Sequence, residues 1–183
     1  WTREASQSAA LVEAIESMQA TLSPLLQARL AMAVARAHHR RGEAEATVRV
    51  GSEAVRLAGA LGDEGYETRI IAELMVATDS ANIGRLEEAE DTFAQVIAEA
   101  LSRGDLWHAA AALGNRAVLW HGKKNLTRLF EDLHQTVQLG REIGEATIEF
   151  LAVYNLGESE YVLELFEPAR EHALRALELA RQL

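Results

Sequence analysis

Cysteine is absent from the 183 residues, which excludes disulfides, thiolate metal sites and a cysteine nucleophile and fits a reducing, cytoplasmic setting. Proline occurs twice and aromatic residues make up 5%. With abundant Ala, Leu, Glu and Arg, that scarcity points to helix throughout and against a β-sandwich or barrel. No uncharged run approaches the roughly 18–20 residues that a membrane span needs; the stretch from Leu106 to Asn115 is closed by Asp105 and Arg116. Positive charge is also short: 18 Lys and Arg stand against 28 Asp and Glu, for a formal net charge of −10. The deficit is shared, nine against fifteen through Asp91 and nine against thirteen afterwards, so no basic half offers a phosphate-binding face. Neither nucleic acid nor membrane is expected as a direct partner. A Gly-rich phosphate loop, a Gly-x-Ser-x-Gly elbow and a His-Glu-x-x-His motif are all missing, so the expectation is no enzyme, no cofactor and no metal.

What is present is enough for a packed core, with 49% hydrophobic residues and 25% charged ones. The start, Trp1-Thr2-Arg3-Glu4, carries no initiator Met, and Glu171 to Leu183 still runs as an amphipathic helix; the expectation is a segment of a longer protein.

Self-comparison exposes a repeat. Leu61-Gly62-Asp63, Arg103-Gly104-Asp105 and Ile143-Gly144-Glu145 align, their glycines 42 and 40 residues apart. Between them lies a second set of breaks: Gly84 to Ala89, Gly122 to Leu126 and Leu165 to Ala169, in which Leu86, Leu126 and Phe166 recur every 40 residues. A glycine ends a helix readily because it adopts the left-handed conformation without a Cβ clash, and an acid after it can cap the next helix. Ser23-Pro24 and Glu167-Pro168 carry the same start signal. Between breaks the apolar residues keep helical spacing, as in Ala89, Phe93, Val96, Ile97 and Ala100, or Leu126, Leu129, Phe130, Leu133 and Val137. Small residues at Ala89, Ala169, Ala173 and Ala176 imply close helix contacts.

The spacing predicts about nine helices in one domain over 1–183. A leading helix near Ser6 to Thr21 (segment 1–22) precedes four pairs, spanning 24–61, 64–103, 106–143 and 146–183. Within them the helices run Pro24 to Arg41 with Glu43 to Leu61, Glu64 to Ile83 with Glu87 to Arg103, Leu106 to His121 with Leu126 to Leu139, and Ala146 to Leu165 with Pro168 to Leu183. A lone pair cannot cover its apolar face, so the pairs should stack as an all-α solenoid.

The pattern resembles a tetratricopeptide-repeat (TPR) protein of long period. Leu113-Gly114 and Leu156-Gly157 match that family's Leu-Gly in the first helix; Gly84, Ala89 and Phe93 match its inter-helix glycine, small residue and aromatic, and Ala169 and Ala176 its two small positions. Ala77, Thr47, Gly51 and the extra residue after Gly122 depart from it. The resemblance implies a right-handed α-α superhelix and, at this period, the helical regions of bacterial signalling regulators.

Among possible chemical groups, His38 and His39 are neighbours that diverge by about 100° on a helix and cannot clamp one metal; the six histidines read as solvated. Arg36, Arg40 and Arg41 complement a helix C-terminus or, alternatively, hold an acidic peptide or phosphate. Glu87, Glu88, Glu90 and Asp91 read as a solvated face, and Trp107 and Trp120 as packing residues.

Stacked pairs bind along the concave side, lined by each first helix. Counting turns from the Leu-Gly marks gives Arg29, Arg36 and His39 in the first pair, Thr78, Ala81 and Asn82 in the second, Ala111, Asn115 and Val118 in the third, and Leu151, Tyr154, Asn155, Glu158 and Tyr161 in the fourth. Asn115 and Asn155 each offer a donor and an acceptor, suited either to a peptide backbone or to local helix hydrogen bonding. The resemblance places them in a peptide-carboxylate clamp, with Ala111 where its lysine would stand. The expected function is a non-enzymatic scaffold binding a protein or peptide; the alternative is a sensor whose small-molecule or peptide ligand changes the pitch of the stack.

Overall fold

Ser23 begins the described chain as its residue type dictates: its hydroxyl accepts the Leu26 N–H at 3.4 Å and Pro24 opens the first helix. The computed structural model describes residues 22–183; the leading helix expected at Ser6 to Thr21 lies outside the described residues. The elements are α1 (Pro24–Arg40), α2 (Ala44–Gly59), a 3₁₀ turn (Gly62–Gly65), α3 (Tyr66–Asn82), α4 (Leu86–Ser102), α5 (Leu106–Gly122), α6 (Leu126–Ile143), α7 (Ala146–Val162) and α8 (Phe166–Ala180). Among the described residues there is no strand, so the fold is all-α.

The glycine stops behave as their chemistry requires. Gly84 ends α3 at φ 85°, and Gly62, Gly104 and Gly144 are left-handed as well. Gly122 does not follow this rule: it closes α5 from within, and the left-handed residue is Lys124 at φ 55°. That shift absorbs the extra residue there. Asp105 caps α5 by accepting the His108 N–H at 3.1 Å, whereas Glu145 gives α7 no side-chain cap.

Several boundaries differ from those the sequence predicts. The helix expected from Glu64 starts at Tyr66, because Gly62–Gly65 winds as a 3₁₀ turn pressed on α2. A Cβ on Gly65 would lie 2.0 Å from the Ala58 carbonyl oxygen, so this approach requires glycine. Helix α6 continues past Leu139 to Ile143, where Gly144 stops it. Helix α7 ends at Val162 rather than Leu165, because Glu164 turns left-handed at φ 60°. Helix α8 starts at Phe166, so Glu167-Pro168 sits in its first turn and Leu165, without a capping side chain, holds the N-cap.

The described residues divide into two compact units between Thr92 and Phe93, inside α4. In the first, α1 packs on α2, α2 on α3, and α1 also meets α3. Its core is built from small residues, Ala31, Ala54 and Ala72, with Met32, Val55 and Leu57 around them. In the second, α5 packs on α6, α6 on α7, α7 on α8, and α5 also meets α7. Leu113, Trp120, Leu133, Val153, Leu156 and Leu179 are buried there. Each such aliphatic side chain contributes about 1.5–3 kcal/mol relative to exposure. Ala169 and Ala176 are buried at the α7–α8 contact as small residues should be, but Ala173 is exposed.

Candidate functional site

In the second unit α5 and α7 lie side by side, and side chains forty residues apart in sequence face one cleft of about 550 Å3. Helix α5 contributes Trp107, Ala111, Asn115 and Val118; α7 contributes Thr147, Leu151 and Asn155; Thr136 of α6 and Glu145 complete the polar lining. Val118 and Leu151 are more than half exposed, so the cleft presents wet apolar surface. Among the described residues, the side-chain amides of Asn115 and Asn155 have no hydrogen-bond partner; the main-chain carbonyl of Asn155 accepts the Ser159 hydroxyl at 2.7 Å. Two unoccupied donor and acceptor pairs on apolar walls can hold an extended chain by its peptide groups.

Two smaller hollows lie on the same unit, the first of them sharing Val118 and Asn155 with the cleft. One, of about 220 Å3, lies between Val118 and His121 of α5 and Asn155, Glu158 and Val162 of α7, over Leu133. The other, of about 320 Å3, is lined by Tyr154, Glu158 and Tyr161 of α7 with Phe166 and Arg170 of α8. Thus Asn115 and Asn155 share the large cleft, Glu158 borders both hollows, and Tyr161 sits in the outer one, its ring edge-on to Phe166 at 5.9 Å.

The four candidates of the first unit are placed differently. His39 Nδ1 and Asn82 Nδ2 converge on buried Asp79, each at 2.9 Å. Thr78 donates to the Leu74 carbonyl at 2.8 Å, and Arg36 is exposed. His39 and Asn82 therefore hold a carboxylate of the protein itself.

Sequence reasoning missed the buried acids. Asp79, Asp132, Glu149 and Glu160 are all buried, and each has cationic or ring N–H partners from a neighbouring helix. Asp132 of α6 accepts two hydrogen bonds from Arg116 of α5, both 2.8 Å, and a third from Trp120 Nε1 at 2.8 Å. Glu149 of α7 accepts from Arg141 of α6 at 2.8 Å and Arg175 of α8 at 3.0 Å. Burial alone would raise the Glu149 carboxyl; the two guanidinium groups outweigh it and hold it below the usual carboxylate range. The available signal was position: Asp132 stands three residues after Leu129 and four before Thr136, on the side of the helix that faces inward.

Two readings are corrected. His38, His39, His108 and His172 are not simply solvated, since each is paired with a carboxylate, His172 with Glu160 at 2.6 Å. Of Trp107 and Trp120 only Trp120 is a packing residue, 2% exposed beneath the Arg128 guanidinium; Trp107 is 47% exposed on the rim of the large cleft.

No family model matches the chain, and no curated protein matches it. Among solved structures, the crystal structure of BtubC (BKLC) from P. vanneervenii is similar with a TM-score of 0.79 over 96% of this chain and 76% of that one, at 14% identity. At that identity the likeness shows the fold alone.

Proposed function

We propose that this chain is a non-enzymatic interaction module of TPR type, its helix pairs following a right-handed superhelix, that binds an extended peptide segment of a partner protein. The observation that carries this reading is the pair of amides, Asn115 and Asn155, one repeat apart on a single 550 Å3 cleft and without partners in the described structure. Asparagine amides pair with peptide groups whatever the side-chain sequence, while Trp107, Val118 and Leu151 supply apolar contact. Neither side chain is needed for folding, because both reach into the cleft. Replacing both by Ala should weaken capture of peptides from a display library at least about tenfold, as expected when buried interface hydrogen bonds are lost, with the melting temperature unchanged. Equal capture by the double variant and the parent would overturn the proposal.

A second reading rests on the same cleft. Its volume falls in the range of roughly 300–1,000 Å3 typical of small-molecule sites, so a sensor role is tested by thermal shift against metabolites. A ligand at a hundred times its Kd adds about 2.7 kcal/mol, and a flat screen rejects this alternative.

A further inference from the structure

We infer that the outer face of α7 and α8 is a docking surface for a helix of α7's own chemistry, apolar around most of its circumference with a carboxylate in its first turn. The inference stands on a different face from the 550 Å3 cleft and does not depend on the peptide reading.

The repeat itself says what covers this face. Advancing forty residues carries Ala117, Val118, His121, Leu129 and Leu133, which line the 220 Å3 hollow, onto Gly157, Glu158, Tyr161, Ala169 and Ala173, which line the 320 Å3 hollow. The two hollows are therefore one feature seen twice. In the first, α7 supplies the opposite wall through Asn155, Glu158, Ser159 and Val162. In the second, no helix among the described residues supplies that wall.

Exposure changes in step. Val137 of α6 is 7% exposed beneath α7, and its repeat mate on α8, Leu177, is 49% exposed. Gly140 is buried so close to α7 that a Cβ would lie 3.0 Å from the Glu149 nitrogen, whereas its mate Ala180 is exposed. Phe166, which lines the 320 Å3 hollow, leaves more than half of its surface in water.

Charge fixes the occupant further. Arg141 at the end of α6 binds Glu149 of α7 at 2.8 Å. Its repeat mate Arg181 stands at the end of α8, exposed and without an ion pair among the described residues. A helix docking here as α7 docks on α6 brings its acid to Arg181, and because Ala180 replaces Gly140, its backbone must stand a few tenths of an ångström further out than that of α7.

A labelled peptide with the sequence of residues 146–162, titrated against the full chain and read by fluorescence anisotropy, tests this. Saturable binding is expected, weakened about tenfold or more by Leu177→Asp and by Arg181→Glu, a loss of at least about 1.4 kcal/mol. Both sites are exposed, so the variants should fold, which circular dichroism checks. A peptide with Arg in place of Glu149 should regain binding to the Arg181→Glu chain and not to the parent. Asn115→Ala with Asn155→Ala should leave the titration unchanged, which separates this face from the cleft. Absence of saturable binding, binding indifferent to Leu177→Asp and Arg181→Glu, or loss of binding in the asparagine variant would overturn the inference. So would a concentration-dependent dimer, seen by sedimentation, that Leu177→Asp dissolves, for the occupant would then be a second copy of this chain.

Discussion

Asp132 shows how single residues hold this fold. Its carboxylate lies inside the α5–α6 contact, where an unpaired charge would be costly, and Arg116 with Trp120 supplies three donors. One repeat later the same two positions carry Glu160 for Trp120 and His172 for Asp132, and donor and acceptor exchange sides across the helix pair. Truncating one member strands the other: Asp132→Ala should lower the unfolding free energy by about 3–5 kcal/mol in urea denaturation. A loss below about 1 kcal/mol would mean that Arg116 re-pairs with water. Ser80 presents the converse case. Its hydroxyl is buried with no hydrogen-bond partner among the described residues, and a buried unsatisfied group costs about 1–3 kcal/mol. Ser80→Ala should therefore raise the denaturation midpoint; a lower midpoint would show that the hydroxyl is bonded.

At the scale of elements, Glu149 ties three helices. It projects from α7 and receives Arg141 from α6 and Arg175 from α8. Its carboxyl is held below its ordinary value of 4.5, burial opposing and the two arginines prevailing. A carboxyl depressed in the folded state stabilises the fold at pH above its unfolded value, and that contribution is lost as pH falls through the lower folded value. Glu149→Gln should cost about 1–3 kcal/mol near neutrality, the range for hydrogen bonds to charged groups and for buried groups left unsatisfied. The gap between parent and variant should narrow as pH falls below the ordinary carboxylate value of 4.5 and close only once the lower folded value has been passed. Urea titrations across this range check both statements. A gap that stays constant with pH would place the stabilisation in packing rather than charge. The arginines are partly exposed, so added salt should narrow the gap at neutral pH.

For the whole molecule, composition and period carry most of the architecture. The excess of acids, the two prolines, the absence of cysteine and the forty-residue spacing of Leu86, Leu126 and Phe166 specify helices and their approximate bounds, because helical periodicity and glycine stops are local properties of the chain. No described helix is long and apolar enough to cross a membrane, as the broken apolar runs imply. The grouping of Asn115 with Asn155 was also legible, since a repeat places equivalent residues on equivalent faces. Other features depended on contacts between distant segments. That His39 and Asn82 turn inward to Asp79, that Trp107 is wet while Trp120 is buried, and that Gly65 must be glycine all follow from which helix lies against which. Sequence by itself determined that helices form, how they repeat and where they start and stop to within a few residues, because those outcomes are largely settled within a few turns of chain. Only the tertiary structure decided which charges are buried and which apolar faces stay bare, because burial belongs to the neighbour that covers a residue and not to the residue alone.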